Sequence, residues 1–372
     1  MSPFTPLRVW AGLLRRHRVD GRYLPRATVR VAVSAASTPL RVYERLRHGG
    51  ALRRQALHPA PVFIVGVARS GTTHLHNLLA CDPQFGWVTN WQAFAPSIAV
   101  SGARWLKPLL ARLGPGRRPM DNVVLELDGP QEEDVALAGV SRHSALHSLS
   151  FPRDQQAFYD GGVTLEALTP DERRAWEADY LGVLRTASRL CGGKRLLLKS
   201  PTNTGKLPAL AALFPEARFV HITRDPYLVF RSLVHAYGKV LPGAQLQAVE
   251  PARVEDDLVR SYRALVERYL ADREVLPPGR LAEVRFEDLE ADPLGQLARL
   301  YDELALGDFD SVRPEVETYL GRLGRYEKNA HELDAHTVER VGNEWGFALD
   351  AFGYPRRGAA AGDAEPAGET AR

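Results

Sequence analysis

Apolar residues along the chain follow two patterns, and the change between them comes near residue 61. Residues 1–60 carry apolar positions at helical spacing, ended by His58-Pro59-Ala60-Pro61, where two prolines stop a helix. Val62, Phe63, Ile64 and Val65 then form an unbroken apolar run closed by Gly66, the pattern of a strand buried on both faces. Residues 71–80 read as a helix whose inward stripe is Leu75, Leu78 and Leu79. A loop is expected at 114–119 and a helix over 131–149; Thr169 caps a further helix that has Pro170 in its first turn and ends near Cys191-Gly192-Gly193. The theme then repeats: strand 195–199, helix 204–214, strand 218–223, helix 226–237, strand 282–286, helix 293–304. Strands separated by helices predict an α/β class, with a central parallel sheet covered by helices on both faces and a helical N-terminal arm. The expected units are the arm 1–60, one domain over 61–357, and a disordered tail 358–372 of Gly, Ala and charged residues without periodicity.

Composition changes this picture only at the arm. With 372 residues, 45% of them hydrophobic and 25% charged, the chain has ordinary globular proportions. Its two cysteines, Cys81 and Cys191, exclude a disulfide scaffold and give no zinc-ligand spacing, which fits a reducing cytoplasm. No run approaches the roughly 18 apolar residues of a spanning helix, and arginines interrupt each candidate signal core, so neither secretion nor a membrane span is expected. Net charge is +3, but residues 1–60 hold twelve arginines against Asp20 and Glu44, a balance of +10 that leaves −7 for the remainder. Such an arm either packs on the domain as an amphipathic cap with its arginines in solvent, or lies on anionic lipid at the inner face of a membrane or on an acidic partner. No nucleic-acid partner is expected.

The chemistry concentrates at strand ends. Gly66-Val67-Ala68-Arg69-Ser70-Gly71-Thr72-Thr73 joins the first strand to its helix, so backbone N–H groups and a positive helix end converge on an anion site. The Gly-x-x-x-x-Gly spacing is P-loop-like, yet Thr72 stands where a nucleoside triphosphatase carries lysine. The loop therefore suits a single terminal phosphate, with Arg69 as a fixed cation beside it. About 150 residues on, Arg224-Asp225-Pro226 has the form of a strand end, a cap and a first-turn proline, with Ser232 eight residues beyond Arg224. A guanidinium and a hydroxyl make a good pair for a phosphate dianion. Two separate phosphate sites in one α/β domain imply a nucleoside phosphorylated at both ends.

These residues resemble a known family. Pro61-Val62-Phe63-Ile64-Val65-Gly66 with Arg69-Ser70-Gly71-Thr72-Thr73 is similar to the 5′-phosphosulfate loop of sulfotransferases that use 3′-phosphoadenosine 5′-phosphosulfate (PAPS), and Arg224-Asp225-Pro226 with Ser232 resembles their 3′-phosphate motif. Leu198-Lys199-Ser200-Pro201, Val284-Arg285-Phe286-Glu287-Asp288-Leu289 and Trp345-Gly346-Phe347 with Phe352-Gly353-Tyr354 resemble segments of the bacterial, tyrosylprotein-sulfotransferase-like branch. The resemblance implies that Arg69, Ser70, Gly71, Thr72 and Thr73 bind the 5′-phosphosulfate, that Arg224 and Ser232 bind the 3′-phosphate, and that Arg69 and Lys199 flank the sulfuryl group. It implies PAPS as co-substrate, its 3′,5′-bisphosphate (PAP) as product, and a small-molecule, glycan or lipid acceptor bearing a hydroxyl or amine. Sulfuryl transfer passes through a loose transition state met by preplaced cations, and the monoester carries one charge fewer than a phosphate, so no metal is expected.

The base is the open question in the sequence. Many members of this branch carry a glutamate shortly after the first helix, whereas Thr89-Asn90-Trp91-Gln92-Ala93-Phe94 offers Gln92, which takes no proton. The substitute expected lies in Pro130-Gln131-Glu132-Glu133-Asp134, with Glu133 and Asp134 as the nominees, although carboxylates in a first helical turn are also favoured by the helix dipole alone. His74, His76, His143 and His147 are further candidates, more simply read as structural, and Glu287-Asp288 as a cap for the following helix. Trp91, Phe94, Trp105 and Phe151 line either an acceptor pocket or the core. A small-molecule kinase and a non-catalytic nucleotide-binding module are the competing readings.

Overall fold

Val62–Val65 has no polar side chain and no residue accessible to solvent, so it must lie inside a sheet covered on both sides. The computed structural model describes residues 2–112, 116–117, 124–323 and 333–358. The strands, in chain order, are β1 (Val62–Val65), β2 (Phe85–Gly86), β3 (Gly116–Arg117), β4 (Val124–Leu125), β5 (Arg195–Lys199), β6 (Arg218–Thr223) and β7 (Leu281–Arg285). Five of them form one parallel sheet in the order β2-β5-β1-β6-β7, while β3 and β4 make a separate antiparallel pair. In register, Ile64 stands opposite Lys199 on one side and Val220 on the other.

The two-residue period of β1 sorts its side chains between two cores. Val62 and Ile64 pack with Leu75, Leu78 and Leu79 of the helix Thr72–Leu79 and with Leu297, Leu300 and Leu304 of the helix Pro293–Leu304. Phe63 and Val65 pack with Trp176, Tyr180 and Leu184 of the helix Pro170–Leu190 and with Leu207 and Leu210. A third cluster joins Tyr227 and Phe230 of the helix Pro226–Ala244 to Tyr262, Val341 and Trp345, and Val67 and Ala68 rest against it. The loop after β1 is thus seated on a packed base.

Most expected elements are present, with Thr169 closing a full capping box with Glu172. The helix expected over 131–149 is instead a helix Glu133–Ala138 and a separate 3-10 turn Ala145–Leu149. Gly139 ends the first, with room for no side chain because a Cβ would lie 2.5 Å from Pro96, and the Ser144 hydroxyl starts the second by accepting from the Leu146 N–H. The helix expected from 204 begins at Leu207, after a 3-10 segment Pro201–Lys206, since Pro208 has no N–H and is tolerated only in a first turn. The helix Pro226–Ala244 runs seven residues past the expected end at 237, and the helix Pro251–Asp272 and strand β2 had no counterpart in the expectation. The tail expected to be disordered falls, from 359 on, outside the described residues, as does most of the loop expected at 114–119.

The arm comprises the helices Leu7–Arg16, Leu24–Ala36 and Thr38–Arg54. The first is an amphipathic cap: Val9, Trp10 and Leu13 are buried with Phe151, Phe158 and Leu246, while Arg8 and Arg16 pair with Asp179 and Glu172. The second reverses the expected orientation, turning Arg26 and Arg30 inward. In the third, buried Glu44 accepts from the Val100 and Ser101 N–H groups at 3.0 and 2.9 Å, capping the helix Ala99–Ala111 from outside its own chain segment.

Candidate active site

In a parallel sheet of this order the connection leaving β1 turns toward β2 and β5, whereas the chain entering β6 has crossed to the other side of β1. The carboxyl ends of β1 and β6 therefore border a crevice at the point where the winding reverses, the usual ligand position in open α/β sheets. Loop 66–71 and the Thr223-Arg224-Asp225 corner both open there.

Close approach dictates the loop's sequence. A side chain at Gly66 would meet the Ile222 carbonyl oxygen at 2.5 Å, and one at Gly71, where φ is +95°, would lie 2.3 Å from the Phe286 ring. Arg69 adopts φ +74° without being glycine, a conformation that costs about 1–2 kcal/mol and persists because its surroundings fix it. The Gly66 N–H donates to Thr204 Oγ1 at 2.7 Å, and the Ser70 hydroxyl donates to the Val67 carbonyl at 2.7 Å. The helix Thr72–Leu79 starts from Gly71 with no side-chain cap, leaving its first-turn N–H groups to the crevice.

Loop and corner touch. Arg69 Nε donates to Ser232 Oγ at 2.9 Å, and Arg224 Nη1 donates to the Arg69 carbonyl at 3.4 Å while its guanidinium lies 4.4 Å from the centre of the Phe286 ring. Asp225 caps the helix Pro226–Ala244, accepting from the Tyr227 N–H at 2.8 Å and from Arg357 at 2.7 Å. Glu287 does not cap the following helix as expected. Its two carboxylate oxygens accept from the Asp225 N–H at 3.0 Å and from the Tyr354 hydroxyl at 2.8 Å, bracing the corner, and Asp292 caps the next helix instead.

Lys199, buried at the carboxyl end of β5, donates to Glu132 Oε1 at 2.6 Å and to Thr73 Oγ1 at 3.3 Å. Glu132 keeps 18% of its side-chain surface in solvent. The nominees Glu133 and Asp134 lie elsewhere: both are buried, Glu133 accepting from Tyr180 and Asn203 and Asp134 from Ser144 and Thr202. Burial raises the Glu133 carboxyl despite the Asn203 bond, and it lowers the amine of nearby Lys206. These two carboxylates tie the helix Glu133–Ala138 to segment 201–206, and the residue just before them turns to Lys199. Gln92 is a structural residue, its amide donating to the Val183 carbonyl at 2.8 Å.

Burial holds all four candidate histidines below their usual range: His74 and His143 are lowered, His147 is brought to about 4, and His76 to about 3 with the Lys199 charge adding to the effect. Trp91 and Phe151 are core, whereas Phe94 and Trp105 lie at the surface. Among the described residues no group of three His, Cys, Asp or Glu side chains could hold a metal ion. Sequence reasoning missed the Thr204 contact to the loop and the Lys199 contact to Glu132; a Thr-Asn-Thr run shortly after a strand was the available signal for the first.

Comparison with known proteins agrees with this geometry. Residues 61–310 match the sequence profile described as Sulfotransferase family. Over 349 residues, 93% of this chain and 89% of the relative, the chain is 31% identical to the omega-hydroxy-beta-dihydromenaquinone-9 sulfotransferase Stf3 of Mycobacterium bovis. Human carbohydrate sulfotransferase 6 is 28% identical across 38% of each chain. Among solved structures, the fold resembles sulfotransferase STF9 from Mycobacterium avium, with a TM-score of 0.67 and 17% identity over 95% of this chain and 98% of that one, and STF1 from Mycobacterium tuberculosis, with a TM-score of 0.59 and 22% identity over 84% and 85%. The profile match over residues 61–310 and the near full-length relative lead to one conclusion: the chain belongs to the sulfotransferase family.

Proposed function

We propose that the protein transfers a sulfuryl group from PAPS to a hydroxyl of an apolar small molecule, with Glu132 as base and Lys199 and Arg69 as the cations at the reacting centre. The observation that carries this reading is the contact between the loop after β1 and the corner after β6, which brings both proposed anion sites to one crevice. On this reading the N–H groups of residues 69–73 hold the 5′-phosphosulfate of the P-loop-like turn, and Arg224 and Ser232 hold the 3′-phosphate. Phe286, already against Arg224 and Gly71, walls the site between them.

The acceptor oxygen attacks sulfur in line as the bond from sulfur to the phosphate oxygen breaks, leaving a sulfate ester and PAP. The proton goes to Glu132, and Lys199 meets the charge left on the departing oxygen. Lys199 Nζ lies 2.6 Å from Glu132 Oε1, so the cation and the carboxylate stand side by side at the carboxyl end of β5. Glu132 replaces Glu133 and Asp134 in this role because those two are consumed by buried partners. Residues 61–357 carry the transfer, and residues 1–60 are accessory. The acceptor class follows the relative, whose name gives it a hydroxylated dihydromenaquinone; the likeness to the tyrosylprotein branch rests on short motifs and adds nothing to it.

The test is to offer sulfur-labelled PAPS with a panel of hydroxylated prenyl quinones, phenols, glycans and amines. Label is expected in a sulfate ester of a hydroxylated quinone. Label found only in glycan or amine products would overturn the acceptor class, and no transfer to any member with PAP bound would overturn the catalytic assignment.

A further inference from the structure

Of the twelve large apolar side chains exposed among the described residues, eleven lie before residue 112 and the other is Val275. The eleven belong to helices that adjoin one another. Leu24–Ala36 and Thr38–Arg54 are separated by Ser37 alone, and Thr38–Arg54 packs on Ala99–Ala111 through Leu40, Leu106 and Leu110.

The helix Leu24–Ala36 is inverted with respect to water. Its exposed positions, Leu24, Pro25, Thr28, Val29, Ala32, Val33, Ala35 and Ala36, include no charge. Its charged residues point the other way: Arg26 donates to the Pro242 and Gln245 carbonyls at 2.9 and 2.8 Å, and Arg30 to the Gly243 carbonyl at 3.3 Å. Val29 is 61% exposed, although a Val at an inward position would have been buried. The next helix exposes Val42, Tyr43 and Leu46, the last at 80%, between exposed Arg45 and Arg47. The helix packed against it exposes Trp105 and Leu109 beside Arg104.

Both acids of residues 1–60 are engaged within the protein. Glu44 is buried against two backbone N–H groups, and Asp20 accepts from Arg153 and from the Ala248 N–H. What the second and third helices present outward is therefore apolar or cationic.

We propose that this face seats on an anionic lipid bilayer, the apolar stripe entering the headgroup and acyl boundary while the flanking arginines meet lipid phosphates. Interleaved Trp, Tyr, Leu and Arg suit an interface that is apolar on one side and negatively charged on the other. A symmetric pair of copies would bring arginine-rich faces together, and an acidic protein surface would match the arginines but leave the charge-free stripe of Leu24–Ala36 without an apolar complement. The inference rests on this surface and stands apart from the donor and acceptor assignments.

The experiment uses the full chain with vesicles of phosphatidylcholine alone or mixed with phosphatidylglycerol, read by co-sedimentation and by tryptophan emission. Binding should favour the anionic vesicles at least about tenfold and fall at high salt. The double substitution Val29→Asp with Leu46→Asp, and separately Arg45→Glu with Arg47→Glu, should each weaken it about tenfold. Tm and far-UV circular dichroism should be unchanged in both, which reports an intact fold. The vesicle-induced blue shift should shrink in Trp105→Phe, a substitution mild enough to read even if an aspartate variant misfolds. Equal binding to both vesicles, or vesicle binding unaffected by the substitutions, overturns the proposal. So does a wild-type dimer in light scattering that Val29→Asp separates, since the face is then an interface between copies.

Discussion

The crevice and the arm treat arginine in opposite ways. At the carboxyl ends of β1 and β6, Arg69 and Arg224 are drawn to the loop's own backbone and to a hydroxyl, with Lys199 buried against Glu132. In the arm, Arg26 and Arg30 are spent on carbonyl oxygens of the domain so that an apolar stripe can face outward. Charge in the crevice gathers around one point at the carboxyl ends of the strands; charge in the arm either anchors a helix or rims an apolar face. Counting arginines cannot separate these uses, but what each guanidinium touches can.

The comparison breaks most sharply if charge in the two regions proves interchangeable. Glu132→Gln should lower kcat by about 10²- to 10⁴-fold, measured in steady state with a soluble acceptor, because the acceptor's proton loses its receiver. Glu133→Gln should leave kcat within a fewfold, and equal losses from both would place the base elsewhere. Next, Lys199→Ala should lower kcat by about 10²- to 10³-fold with PAP affinity, read by calorimetry, changed less than threefold or so. Val29→Asp with Leu46→Asp should leave kcat on that soluble acceptor unchanged; a comparable loss would erase the distinction between the regions.

The smallest effect concerns buried histidine near the arm's docking site. His147 packs on Phe158, and its imidazole Nε2 lies 2.8 Å from the Ser141 carbonyl. Burial lowers its folded value from 6.5 to about 4. A lowered value means that the unfolded chain binds the proton first, so the contribution is present above pH 6.5 and lost as pH falls toward 4, at most about 3 kcal/mol. The drop in Tm between pH 7 and pH 5 should be smaller in His147→Gln than in the parent; an equal drop would assign the acid sensitivity to other groups.

Much of the sheet was legible in the sequence. Val62–Val65 falls on its expected boundaries because it is a continuous apolar run between Pro61 and Gly66, and Arg218–Thr223 does so with Phe219, Val220 and Ile222 as its apolar centre. Phe85–Gly86 was not legible, since two residues at a sheet edge carry no period. The helix expected over 131–149 failed at Gly139 and Ser144, where local side-chain chemistry overrides apolar spacing. In the site, the loop and corner were readable as motifs, but the choice among Glu132, Glu133 and Asp134 depended on which way a six-residue helix faces. That orientation is set by Tyr180, Asn203 and Thr202, distant in sequence. The arm's inverted helix was invisible for a related reason: a helical pattern identifies a face without saying what it meets. The kinase alternative, already weakened by Thr72, is set aside by membership of the sulfotransferase family.

The central claim is that one crevice holds both phosphates of one nucleotide. Calorimetry with PAP and with adenosine 5′-monophosphate, on the parent and on Arg224→Ala, tests it directly. The account predicts that the parent prefers PAP by about tenfold to a hundredfold, the worth of a charge-assisted contact to the 3′-phosphate, and that Arg224→Ala abolishes the preference while still binding the monophosphate. Equal affinity of the parent for both nucleotides, or a preference that survives in Arg224→Ala, would contradict it.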